Sequence, residues 1–456
     1  MMEADLNRLI CLLTFVALLT CAATRAKAGD PDKELLPVRG FIGSTSCSAR
    51  ACHGSMTAES SRVERNEFTV WLTRDRHSDA YASLFKPLAK QIARRRGQKA
   101  AHEDTACLAC HAPASVANRS LVDRPSEPRE GVGCEACHGP AGSWIGAHTD
   151  PGWRERSPQW KRERGFAPLT TTADVAGQCS SCHVGARGLP MADRDVTHDM
   201  IAAGHPRLMF EFSSYLAHMP RHWSEETNGR FTGSPDRAWL CGQLVSLRCT
   251  TELTVSRAAG PQKAWPDLSE FDCFSCHHSW RSNTMSRDPE VHETQASATV
   301  GGMVYQTWYA AVPLRLVQVR GMQCPADMVT AFTRMEQVMS TPRPRAAEAI
   351  NAGRLLIRAL KEWQTTSAEV PSQLMLSHLA RASVSRPITH WDEAEEIYLG
   401  LSALGRAHPE RFAVLELSRM SDLLGTGPNQ PGRMYDPAPI RAEISRIANM
   451  IAPPPR

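Results

Sequence analysis

Cysteine pairs separated by two residues and followed at once by histidine occur four times: Cys107/Cys110/His111, Cys134/Cys137/His138, Cys179/Cys182/His183 and Cys273/Cys276/His277. Thiols three residues apart lie on one face of a helical turn, where both can add across the two vinyl groups of one porphyrin. The next residue then aims its imidazole at the iron. Paired Cys-x-x-Cys units also bind zinc or act as dithiols, but zinc does not require a histidine after every pair. The pattern predicts covalent haem c, with His111, His138, His183 and His277 as proximal iron ligands. A stretched copy, Cys47-Ser-Ala-Arg-Ala-Cys52-His53, has four residues between its thiols. It needs a wider loop, and its alternative reading is a local disulfide or two unrelated thiols. Its intact Cys-His ending makes it a fifth haem site, with His53 as proximal ligand.

Five proximal histidines leave 12 of the 17 free, enough for a second imidazole at several irons. Two imidazoles per iron give a low-potential centre whose geometry barely changes on reduction, which suits electron transfer; methionine would raise the potential. A lone histidine is ordinarily a polar surface or core residue, so each candidate is weighed by its surroundings. His77 in WLTRDRHSDAYASL, His148 in IGAHTD, and His198 with His205 stand out. The last two are seven apart and share a face if their helix is continuous. His102, His218, His222 and His292 are weaker, and His278 reads as a neighbour of the proximal ligand.

WLTRDRHSDAYASLFKP, CLACH, GVGCEACHGP with His148 behind it, and CSSCH, in this order, resemble the tetrahaem cytochrome c-554 family, the electron acceptor of hydroxylamine oxidoreductase. The likeness runs from residue 40 to about 215, and GVGCEACHGP is its most specific part. It implies that His77 is the distal ligand of the fourth haem, on His183, and His148 that of the first, on His53. It implies no protein distal ligand for the second haem, on His111. For the third, on His138, it implies a histidine downstream of His183, and His205 in AAGHPRL is the choice. The chain departs from the family in its stretched first motif, its fifth motif and its C-terminal region. His198 and His222 are the candidates for the distal ligand of the fifth haem.

Residues 9 to 24 (LICLLTFVALLTCAAT) form an apolar run behind Arg8 and before Ala26-Lys27-Ala28, which reads as a secretory signal (residues 1–28) cleaved after Ala28. The run is shorter than the roughly 20 apolar residues of a spanning helix, so the alternative is a retained N-terminal anchor, the one route to membrane association. Cys21 as a lipidated cysteine is disfavoured by Thr20 before it. Export agrees with covalent haem attachment, and the expected location is periplasmic or otherwise extracytoplasmic, soluble after cleavage. Ten of the 15 cysteines serve the haem motifs and two lie in the signal. The remaining Cys241, Cys249 and Cys324 read as buried free thiols, since Cys241 and Cys249 on one helix stand about 12 Å apart along its axis, too far for a disulfide. The formal charge of +4 falls to +3 without the signal. Nothing in it points to nucleic acid, and Arg94-Arg95-Arg96 reads as a solvated helix end.

The expected fold is mainly α. A linker over 29–46 leads to a pentahaem domain over 47–285, with short helices and loops packed around haems that supply much of the apolar core. Its longest helical stretches are 199–217, where Pro206 must start or kink a helix, and 237–258. An α-helical domain follows over 286–456. There Met328, Phe332, Met335 and Met339 recur at helical spacing, as do Ala349, Ala352, Leu356, Leu360 and Trp363, and Ala394, Ile397, Leu401 and Leu404. The methionine stripe reads as packing rather than ligation. Thr389 with Asp392 resembles an N-cap and Gly405 a helix stop. The second and third motifs, 22 residues apart, put their haems near one another.

The functional expectation is an exported pentahaem cytochrome, carrying five haem c, that passes single electrons between redox proteins. Its donor or acceptor would be a hydroxylamine oxidoreductase-like enzyme or a quinol oxidoreductase. The alternative is an enzyme acting on nitric oxide, hydroxylamine or nitrite at an open second haem. No Cys-x-x-Cys-Lys site of the kind used by pentahaem nitrite reductases is present. A third reading makes the chain a conducting subunit docked through its C-terminal helices.

Overall fold

The computed structural model is mainly α-helical, as the helical spacing of its apolar residues dictates. It describes residues 40–451 except 59–63, 119–125, 189–191, 224–234, 261–264, 274–302, 307, 320–321, 323, 367–371, 389, 411–416 and 426–436. The signal segment, Cys276, His277, His278, His292 and Thr389 lie outside the described residues. Among those described there is no strand; isolated antiparallel bridges pair Ala186 with Arg194 and Phe271 with Tyr305.

Short helices make up the motif-bearing part: α1 (Glu67–Arg74), α2 (Pro87–Arg95), α3 (Thr105–His111), α4 (Cys134–His138), α5 (Pro158–Arg162) and α6 (Thr172–His183). Three of them, α3, α4 and α6, end on the histidine of a motif. Asp104 starts α3 by accepting the Ala106 N–H, and Thr171 with Asp174 forms a reciprocal capping box on α6. Little protein core lies beneath them. Leu84, Ala93, Ala101, Leu108, Ala112 and Val116 form a separate small cluster, while Leu72, Phe85 and Leu88 are 53%, 44% and 50% exposed. Burying one such side chain contributes about 1.5–3 kcal/mol, so these bare faces call for an apolar group to cover them.

The stretch from 199 to 217 is not one helix. It divides into α7 (His198–Ala202) and α8 (Phe212–His218), because Gly204 turns at a φ of +115° and Pro206 cannot continue the backbone ladder. His198 and His205 therefore share no continuous helical face.

The longest helix, α9 (Pro235–Ala259), is buried on all sides through Trp239, Leu240, Leu244, Leu247, Thr251 and Thr254. Around it and beyond come α10 (Met328–Met339), α11 (Ala346–Thr366), α12 (Ser372–Val384), α13 (Trp391–Ala407) and α14 (Pro437–Ile451). α9 packs against α6 and α8 from the motif-bearing part and against α11, α12 and α13. Gly353 lets α11 approach closely, since a Cβ there would stand 2.4 Å from Val255 Cγ2. All four residues of the methionine stripe on α10 are buried, as are the apolar faces of α11 and α13. α13 runs two residues past Gly405, and the N–H of His408 closes it on the Gly405 carbonyl. One core extends from Ala176 in α6 to Ile447 in α14, so the packing does not break at residue 286. Cys249 is buried, Cys241 and Cys324 are half-buried, and all three are free thiols. Among the described residues no helix is long and apolar enough to cross a membrane.

Candidate functional site

The segment GVGCEACHGP is the mechanical centre of the motif-bearing part. Gly131 adopts a φ of +61° and passes so close to the His77 and Ser78 carbonyls that a Cβ would stand 2.5 Å from either oxygen. The Val132 N–H donates to the His77 carbonyl (2.9 Å), and Trp71 Nε1–H donates to the Val132 carbonyl (3.0 Å). His77 is thereby pinned beside the third motif. Glu135, inside that motif and buried, accepts the N–H groups of Ile42, Gly43 and Ala141. It fastens residues 40–44 over α4, and the Cys134 N–H adds a bond to Ser44 Oγ (3.1 Å).

Three pairs of imidazoles face each other across this scaffold. Ring centroids stand 6.2 Å apart for His53 and His148, 6.1 Å for His77 and His183, and 6.5 Å for His138 and His222. Two imidazoles that bind one metal from opposite sides, each through a bond of about 2 Å with the ring centre roughly 1.1 Å behind the nitrogen, stand about 6 Å apart. Each pair joins one motif histidine to one distant histidine.

The ring opposite His138 is His222, where the resemblance pointed to His205, and His222 had been a candidate for the fifth haem. The chain reversal at Gly204 and Pro206 turns the neighbourhood of His205 toward α2, where Arg95 Nη1 donates to the Ala203 carbonyl (3.2 Å). There His205 acts electrostatically on His111. His222, beyond α8, reaches the third motif instead.

Hydrogen bonds at the other ring nitrogen fix the orientation of these rings. Nδ1–H donates to Glu67 from His53 (3.0 Å), to Asp75 from His77 (2.8 Å) and to the Ile145 carbonyl from His148 (2.6 Å). His111 Nδ1 lies 3.0 Å from Ser83 Oγ and 3.2 Å from the Ala80 carbonyl. Each arrangement leaves Nε2 for a metal, the pattern in which a partner on the second nitrogen sets the tautomer and raises ligand basicity. The hydrogen bonds that Glu67 and Asp75 accept raise the basicity of His53 and His77. Burial does the opposite at His138 and His183, both depressed to about 4, which keeps them neutral and ready to ligate. His138 Nδ1 is buried without a hydrogen-bond partner among the described residues.

The thiols link the motifs in an order the sequence does not follow. Cys47 and Cys134 are close enough to act on each other electrostatically, as are Cys110 and Cys182; the first member of each pair is raised and the second lowered. Cys137 feels the charges of Cys179 and Cys182. The chain of neighbours is therefore first, third, fourth, second, rather than a direct link between the second and third. Of the remaining motif thiols, Cys52 is exposed and Cys107 half-buried. Of the fifth motif, exposed Cys273 lies near Arg207, which pairs with Asp392 at 2.9 Å. The His198 N–H donates to Asp267 Oδ1 (3.0 Å). The weaker candidates are otherwise engaged: His102 stacks on Phe85 at 4.5 Å and His218 Nδ1–H donates to the Ser214 carbonyl.

These residues fit haem c. The imidazole pairs have the spacing for an iron between them, exposed apolar side chains await a macrocycle, and thiols precede each motif histidine. A zinc site would instead draw its ligands into one cluster, and among the described residues no such group of His, Cys, Asp and Glu occurs. Glu67, Asp75 and Glu135 were missed in the sequence; the acid two residues before His77 and the acid inside CEACH were the available signals. No curated protein and no solved structure matches the chain. Residues 46–139 match the family model described as cytochrome c554 and c-prime, so this part of the chain is similar to that family of c-type cytochromes.

Proposed function

We propose that the chain is an exported pentahaem electron carrier. The observation that carries this reading is the set of three imidazole pairs at the spacing of two axial ligands on one iron. When bound, haem c supplies reversible one-electron chemistry at low potential. The chain's own residues do the rest. The paired imidazoles of His53 with His148, His77 with His183 and His138 with His222 would hold the group, and the Glu67 and Asp75 carboxylates orient the His53 and His77 rings and would favour the higher charge. No side chain acts as acid or base. The donor and acceptor are redox proteins, of which a hydroxylamine oxidoreductase-like enzyme or a quinol oxidoreductase is the leading class, and the setting is periplasmic after signal cleavage. EPR of the oxidised protein tests the reading: low-spin signals should dominate, and a mostly high-spin spectrum would overturn it.

A second reading, turnover of nitric oxide, hydroxylamine or nitrite at the second site, is favoured by one observation. Among the described residues no imidazole ring faces His111 at the spacing of the other pairs. Steady turnover with reduced dyes, on the order of 1–10³ s⁻¹, that stops when only this iron is blocked by cyanide would establish it.

A further inference from the structure

We propose that residues 151–166 form a docking surface for an acidic redox protein, with Trp153 and Trp160 leading from that surface to the first haem site at His53 and His148. This rests on the electron-carrier reading and assigns one of its contact faces.

An aromatic path leaves the first site in short steps. The His148 ring lies 6.3 Å from Trp153, and Trp153 lies 5.8 Å from Trp160. Phe166 joins the same cluster, 5.2 Å from Trp153, and stacks on His138 at 5.8 Å, so the cluster also touches the third motif. Electron tunnelling decays steeply with distance, which makes contiguous rings from ligand to surface a favourable route. Trp160 is half-buried at the outer end. Two guanidinium groups lie over its ring, Arg164 at 3.5 Å and Arg156 at 4.9 Å, while Lys161 lies over Trp153 at 5.2 Å.

The local sequence builds this face deliberately. Ser157 caps α5 by accepting the Trp160 N–H, Pro158 follows at its first position, and Gly165 turns the chain at a φ of +82°. The Ala167 N–H then ties the segment to the His138 carbonyl (2.9 Å). Between 154 and 164 stand five cations against Glu155 and Glu163. Among the described residues no ion pair consumes Arg156, Lys161, Arg162 or Arg164, and Arg156 and Arg162 are exposed. A solvated helix face would need no tryptophan at its centre. Uncompensated positive charge around an aromatic terminus suits a partner whose own redox group is ringed by carboxylates, because complementary fields steer encounter and fix register.

The test uses the full haem-loaded protein with photoreduced flavodoxin as the acidic probe and a basic class I cytochrome c as its opposite. Binding is measured by calorimetry with both partners oxidised, and electron uptake by stopped flow. Each rate is referred to that with a neutral hydroquinone, which carries no charge for the surface to attract. At low salt, flavodoxin should bind more tightly than the basic cytochrome, and Arg156→Glu with Arg162→Glu should weaken it by about 10-fold or more and flatten the salt dependence. Trp160→Leu should slow uptake from flavodoxin more than it weakens binding. Equal affinity of wild type and the double variant, or tighter binding of the basic probe, would overturn the docking surface and leave the carrier reading intact. Failure of hydroquinone and flavodoxin alike to reduce the wild type would overturn both.

Discussion

Replacing Asp75 by Asn tests the role of His77 through charge alone. Asp75 is buried and accepts Nδ1–H of His77 at 2.8 Å. Burial by itself would raise its carboxyl, but hydrogen bonds from the His77 side chain and backbone hold it below the ordinary value, so it is an anion at neutral pH. Asn keeps an oxygen to accept Nδ1–H, and the ring stays in place while the charge goes. Carboxylate, ring and a metal on Nε2 lie in a row, which sets the charge about 7 Å from the metal given a bond of about 2 Å. At an effective dielectric constant of about 20, a unit charge at that distance is worth about 2.4 kcal/mol. Since about 1.4 kcal/mol corresponds to 59 mV for one electron, the ceiling is about 100 mV. The His77 side chain is 40% exposed, and in a fully aqueous dielectric the same interaction falls to about 0.6 kcal/mol, or about 25 mV. A spectropotentiometric titration of Asp75→Asn should show one centre raised by an amount between these limits, with every low-spin signal retained. No upward shift at any centre would refute the assignment of His77 and the charge argument with it.

His222→Ala should replace one low-spin EPR signal by a high-spin one, because it removes the ring 6.5 Å from His138; that change in His205→Ala instead would return the role to His205. Intact mass of exported protein should show five haem increments on a chain starting at Gly29, whereas four increments with free Cys47 and Cys52 would remove the stretched site. Burial holds the Glu396 carboxyl well above its ordinary 4.5, with nearby Glu211 adding to the shift, so the folded protein keeps a proton that the unfolded chain loses above that pH. Stability then falls by about 1.4 kcal/mol per pH unit as pH rises. Glu396→Gln, which preserves an acceptor for Gln243, should melt like wild type near pH 4 and progressively higher than wild type toward pH 7, as calorimetry can check.

The helices of the motifs were legible, because α3, α4 and α6 each end on the histidine that the Cys-x-x-Cys-His spacing marks. The C-terminal helices were legible for a different reason: Met328, Phe332, Met335 and Met339 repeat at the period of one buried face. The opposing rings were harder. His77 and His148 stood out in the sequence but were placed only through a family likeness, and the ring that faces His138 is that of His222, which depends on the turn at Gly204 and Pro206 that local pattern does not orient in space. The order of the motifs was hidden as well, since Cys47 meets Cys134 and Cys110 meets Cys182 across long stretches of chain. Glu135 within CEACH went unread, and only its three backbone donors reveal it as a clasp.

With six side chains in its own buried cluster, the stretch around α2 and α3 has too little apolar mass to fold ahead of its cofactors. Were haem attached at the motifs, that stretch would stay open until the thioethers formed, with its cysteines within reach of a ligation apparatus and equally of proteases. Where ligation is the folding energy, an incompletely loaded chain is an unstable one. The helices α9 to α13 face no such requirement, because Trp239, Met335, Leu360 and Trp363 belong to one buried apolar cluster. Maturation would then have a built-in order, with the helices around α9 able to collapse first and the stretch around α2 and α3 completed only on loading.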